Sequence, residues 1–346
     1  MGRGSTASPA QPTRTTASEE TGRRRRSPDR TLVLAVVGLI AVVVAFFSSY
    51  ASALGKPTAH HLPVAVTAPP AVVARLGASP QLSVHSVANL AIARRMVEDR
   101  AVYGALALPS AGPATLLVAN GGGHAVETIL LQFGHQVAHV LGTPLATVDV
   151  APTSSQDPSG TVEFYCIVFL FLGAALGATV LGKILGPIRR MPDALWRLAC
   201  VSLYSGLLSL VVTFFADIVF GALIGHFGLL FLTLWLFVAA VCLAVTGLAA
   251  RAGTAVSLVL ILALIALGNP SSGGPVPRPL LNSFYSGLNP VLPQGAALSA
   301  LRSVEYFGNQ GITPGLLCLL IWALAGLGLL AAAGASWPHR NAVTGS

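Results

Sequence analysis

Charge is scarce in this chain of 346 residues: Asp, Glu, Lys and Arg together make up 9% of it. A soluble domain carries about 25%. Lysine stands only at Lys56 and Lys183, and every other basic residue is arginine. That shortage excludes an ordinary soluble globular protein. Cysteine is equally uninformative as a scaffold. Cys166, Cys200, Cys242 and Cys318 all lie within or at the edge of apolar runs, and no CxxC pair occurs. Neither a disulfide framework nor a thiolate metal site is indicated. No Ser/His/Asp arrangement has motif context, and Glu98, Asp99, Glu127, Asp149 and Asp157 show no spacing typical of paired catalytic carboxylates. The expectation is therefore a protein that is not an enzyme and holds no cofactor.

What the chain does have is apolar length. Apolar residues make up 54% of it, and five long runs crowd the last part of the sequence. A sixth stands alone at 31–54. About 20 apolar residues cross a bilayer as a helix, because a helix satisfies its own backbone there. The expected fold is a polytopic α-helical membrane protein with six transmembrane helices in a 1 + 5 layout and a small α/β extracytoplasmic domain at 55–160. The later spans are expected at 162–185, 195–221, 227–250, 253–267 and 312–334, within a bundle at 161–335. Residues 1–30 read as a disordered basic cytoplasmic tail, and 336–346 as a second cytoplasmic tail. Ala51-Ser52-Ala53 resembles a signal-peptidase site, but the apolar run before it exceeds a signal core of roughly 7–15 residues. Retention as an anchor is expected.

The basic residues give an orientation. Seven arginines precede the first span, Lys183, Arg189, Arg190 and Arg197 flank the turn after the second, and Arg251 and Arg340 follow. With both termini inside, these lie on the cytoplasmic face and the large insert outside, as the positive-inside rule requires. A bacterial cell membrane is the expected location, with the lipid bilayer as partner. The net charge of +8 reflects this placement, and no nucleic-acid role is expected.

Within the insert, alternation predicts strands at 62–67, 102–108, 115–119 and 145–150, and helical spacing predicts helices at 87–99 and 124–141. Alternating strands and helices favour a mixed sheet covered by helices. Before the last span, 268–311 is broken by Gly and Pro but holds semi-apolar stretches at 280–288 and 296–307. Short amphipathic pieces of this kind predict re-entrant or interfacial helices at about 280–307.

Several motifs dissolve on inspection. Gly177–Ile184 matches GxxxxGK, but Ile184 replaces the Ser/Thr that binds magnesium and the stretch lies in a span. Gly173/Gly177, Gly182/Gly186 and Gly221/Gly225 have the small-xxx-small spacing of closely packed helices, with a homodimer or heterodimer seam as the other reading. His135 and His139 are four apart, but Gln136 stands where a zincin needs glutamate; a solvated helix face is expected. The Gly121–Gly123 triplet reads as a turn, with an anion site as the weaker alternative. Ionisable residues of the spans sit only near their ends, at Glu163, Lys183, Arg197 and Asp217. A carrier driven by protons or ions keeps such groups near the midplane, so self-driven transport is not expected.

Leu62–Val66, Ala93–Leu106 and the stretch from Gly274–Pro277 through Leu292–Ala296 to Ala300–Gly308 carry a resemblance. With the 1 + 5 layout, the chain resembles the YhgE/Pip (phage infection protein) group of type-2 ABC-exporter permease-like membrane proteins. The resemblance implies a subunit that moves an amphipathic compound or an envelope component, energised by a separate ATPase. It implies that the ATPase docks on the turn at 186–196, through Pro187, Arg189, Arg190 and Asp193. It further implies an outer gate shaped by Arg302, Glu305 and Tyr306. The tail ahead of the first span departs from the pattern in having no amphipathic interfacial helix. The second reading is a non-transporting envelope scaffold or receptor whose insert binds an extracellular partner.

Overall fold

The structure, a computed structural model, describes residues 1, 2, 4, 30–55, 57–109 and 112–335. The two tails read from the sequence fall outside these residues, apart from 1, 2, 4 and 30. The chain forms two units, 1–44 and 45–346. The helix α1 (Arg30–Leu54) begins in the first, and its last ten residues belong to the second.

A five-stranded sheet follows α1. Its strands are β1 (Leu62–Thr67), β2 (Leu82–Ser86), β3 (Gly104–Ala107), β4 (Ala114–Val118) and β5 (Leu145–Asp149). Their order is β2-β1-β3-β4-β5, all pairs parallel except β3 with β4. The crossovers are α2 (Pro70–Gly77), α3 (Leu90–Glu98) and α4 (His124–Leu141). Alternation along the strands sorts the core into two layers, as a period of two must. Leu62, Val64, Val66, Leu116 and Val118 face α4 residues Val126 and Leu130, whereas Ala65, Ala105 and Leu117 face Ala93 and Val97 of α3.

Six helices among the described residues are long and apolar enough to cross a membrane. After α1 these are α5 (Val162–Ile184), α6 (Met191–Thr213, continued by a π-helical stretch Phe214–Val219), α7 (Phe227–Ala252), α8 and α12. The helix α8 (Thr254–Ala263) runs through a second π-helical stretch, Leu264–Gly268, into the short α9 (Asn269–Ser271). The last, α12, spans Thr313–Ala335. This is a multi-pass membrane protein with a small mixed sheet.

Central in the bundle is α7: 61% of its apolar window is buried, against 22–39% for α5, α6, α8 and α12. Glycines set the closest approaches. At Gly326 of α12 an added Cβ would stand 2.5 Å from Ala244 N and 2.6 Å from Leu243 O of α7. At Gly173 it would stand 2.8 Å from Leu208, and at Gly177 it would enter the Tyr204 ring, so α6 side chains lie directly on the α5 backbone. The GxxxxGK stretch is thus a packing surface inside a helix.

Between α9 and α12 the chain makes a 3-10 turn at Arg278–Leu280, α10 (Ser283–Leu288) and α11 (Pro293–Tyr306). The helix α11 is buried over nearly its whole length. It packs against both the sheet domain and the long helices and so serves as a strut between them. The α/β domain is not a separate ball. Val276, Leu280, Leu281 and Tyr285 complete one of its core layers, and Phe307 completes the other.

Candidate binding site between the α/β domain and the helical bundle

The polar side chains of α11 each reach a different neighbour. From its first turn, Gln294 Nε2 donates to Leu264 O at 2.9 Å, inside the π-helical stretch of α8. Widened turns loosen the regular ladder, and a neighbouring amide satisfying such a carbonyl is what an apolar interior demands. One turn before its end, Arg302 donates from Nη1 to Gly273 O at 2.9 Å and from Nη2 to Gly274 O at 3.3 Å. Glu305 Oε2 accepts the backbone N–H groups of Ile224 at 2.6 Å and Gly225 at 3.1 Å, in the loop between α6 and α7. Tyr306 lies against Gly121, where an added Cβ would stand 2.6 Å from Tyr306 Cβ. The triple glycine is therefore a close-packing device.

From the α/β side the matching contact is Arg100. Its Nη1 donates to Ser299 O at 2.7 Å and to Ser303 Oγ, and its guanidinium lies 5.0 Å from the Phe307 ring centroid. Arg100 holds φ at +60° just beyond the C-terminus of α3. Glycine is the usual residue there, because a Cβ in that region costs about 1–2 kcal/mol. No sequence signal points to Arg100, whose partner lies 199 residues away.

Arg100, Arg278 and Arg302 line one cavity of about 330 Å³ between the domain and α11, with Tyr103 on its wall and Asp99 at its rim. Arg278 is exposed and bonds through Nε to Ser286 O at 3.2 Å. Among the described residues, none of the three arginines makes an ion pair with a carboxylate. The electrostatics reflect this crowding. Burial pulls the Arg100 pKa down to about 10; Tyr103 opposes the fall and Arg302 adds to it. Burial raises the Tyr103 hydroxyl, and Arg100, Arg278 and Arg302 all pull it back.

A second polar group lies beside Glu305. Burial raises its pKa to about 7, opposed by the Ile224 N–H and assisted by Glu163. Glu163 itself is fully buried at the start of α5. Burial and Glu163 also raise the Tyr306 hydroxyl. The sequence had Glu163 only as a residue near a span end; its burial against α11 depends on tertiary packing.

At the far end of the bundle, Asp193 Oδ2 accepts the N–H groups of Arg189 and Arg190, both at 3.0 Å, and Arg197 Nη2 donates to Gly186 O at 2.6 Å. With Pro187 and the exposed Trp196 these residues line a concavity of about 430 Å³. The structure thus separates the sequence-derived sites: Arg302, Glu305 and Tyr306 share one helix, and Pro187, Arg189, Arg190 and Asp193 share one turn. On the α4 surface, His135 Nδ1 donates to Leu131 O at 2.7 Å.

No protein-family model, curated protein or solved structure matches the chain.

Proposed function

We propose that the chain is the membrane subunit of a type-2 ABC-exporter-like system, moving an amphipathic compound or an envelope component and energised by a separate ATPase. The observation that carries this reading is the polarity of the bundle. One end is tied to the α/β domain through α11. The other presents a cation-bearing concavity at 185–197, suited to an acidic or polar protein surface. The arginines and lysine of that turn, with Arg251, favour placing it in the cytoplasm and the α/β domain outside. Both termini then lie inside, in a bacterial cell membrane. Arg302, Glu305 and Tyr306 act in this reading as the latch of an outer gate, since each joins α11 to a different segment. The ionisable side chains near span ends supply no midplane coupling site, which is why a separate motor is needed. Crosslinkers placed at Arg189 and Arg190 in the complete protein should capture an ATPase from the native membrane. Clean capture of the protein with no nucleotide-hydrolysing partner overturns the reading.

A further inference from the structure

The cavity between the α/β domain and α11 is lined by Arg100, Arg278 and Arg302, none of which pairs with a carboxylate among the described residues. We propose that it is a binding site for an anionic phosphate or carboxylate group, gripped by Arg100, Arg278 and Arg302. Unlike the exporter reading, this needs no transport step and no ATPase.

Three observations converge. First, three arginines from three separate segments line one space of about 330 Å³, at the lower end of the roughly 300–1,000 Å³ of small-ligand pockets. Asp99 is the one carboxylate on its wall, so the lining residues carry a formal surplus of two positive charges. Second, Arg302 is 6% exposed and pairs with no carboxylate among the described residues. A buried cation without a counter-charge is costly, and an anion relieves the cost. Third, Arg100 occupies a left-handed backbone position where glycine would be unstrained. Strain of this kind persists where the side chain is needed.

Guanidinium suits this chemistry because its planar fork presents paired N–H donors to two oxygens of one phosphate or carboxylate. An anionic lipid headgroup and a free phosphate-bearing solute are the two sources of the same chemistry.

The test uses the complete protein purified in neutral detergent. Melting temperature and adduct retention in native mass spectrometry are read with three probes: short-chain phosphatidylglycerol, short-chain phosphatidylcholine and inorganic phosphate. Stabilisation by phosphatidylglycerol but not by phosphatidylcholine or phosphate assigns a lipid headgroup. Stabilisation by inorganic phosphate assigns a soluble anion. Arg278→Gln, at an exposed position, should fold normally and weaken binding by about tenfold, the worth of one charged hydrogen bond. Arg100→Gln should weaken binding as well and also lower the melting temperature of the unliganded protein, because it loses the contacts to Ser299 and Ser303. The proposal is overturned if neither anion raises the melting temperature, or if both variants bind as tightly as the parent protein.

Discussion

The Tyr306 side chain lies directly against Gly121, and the two residues close the seam between the sheet domain and α11. A methyl group at Gly121 would stand 2.5 Å from Tyr306 Cδ2 and 2.6 Å from its Cβ. Those atoms are the root of the Tyr306 side chain, next to the helix backbone, and cannot swing away as a flexible chain end would. Gly121→Ala should therefore destabilise the protein by about 1–3 kcal/mol, as overpacking does. Gly122→Ala, whose Cβ would meet Phe307 Cζ at an ordinary 3.7 Å, should be nearly silent. Thermal unfolding of the two variants in detergent makes the comparison, and equal melting temperatures would refute the close seam.

Glu305 predicts a pH dependence. Its folded pKa is raised to about 7, chiefly by burial, while an unfolded glutamate titrates near 4.3. Between those values the folded state holds a proton that the unfolded state has released. Stability should then fall as pH rises from about 4.5 to about 7 and level off above, by up to about 3 kcal/mol. Glu305→Gln keeps an acceptor for the N–H groups of Ile224 and Gly225 and should flatten this part of the curve. Melting temperatures of both proteins from pH 4.5 to 8 decide it; parallel curves would show that Glu305 is not the titrating group.

Asp193 holds the turn between α5 and α6 by accepting two backbone N–H groups. Asp193→Ala removes a helix N-terminal cap and should cost about 1 kcal/mol. Under the exporter reading the same change should reduce capture of the ATPase at Arg189, whereas Gly228→Ala, with open space around its Cβ, should leave capture intact. Unchanged capture by the Asp193 variant would detach the turn from docking.

At the α7–α12 crossing, Gly326→Ala should be among the most damaging single methyl additions, because the clash is with the backbone of Leu243 and Ala244. A loss of about 2 kcal/mol or more is expected. Gly328→Ala meets nothing within 4 Å and raises helix propensity, so it should be neutral or slightly stabilising. Unfolding by heat or denaturant separates the two.

The elements driven by local pattern were legible in the sequence. The bounds of β1 and α4 coincide with those read from alternation and from the 3.6-residue spacing, and the apolar runs became the long helices. Two elements of the α/β domain were missed. The sequence Pro69-Pro70 reads as a stop, yet Pro70 opens α2, where its fixed φ and missing N–H do no harm. Edge strand β2 carries a mixed pattern because it is only half covered. The candidate cavity was not legible at all. Its cations sit at positions 100, 278 and 302, and only the docking of the domain on α11 brings them together. The burial of Glu163 was hidden for the same reason, since no local spacing records which face of α5 meets α11.

Gly326 has a consequence for how the bundle could rearrange. With α7 and α12 touching backbone to backbone, the two helices form one beam that cannot bend at the crossing without tearing apart. Within the α5–α6 hairpin the seats are side chains instead, Leu208 against Gly173 and Tyr204 against Gly177, so those two helices can adjust to each other through rotamer changes. Adjustment within the bundle is therefore expected inside that hairpin, whose tip is the cation-lined turn at 185–197.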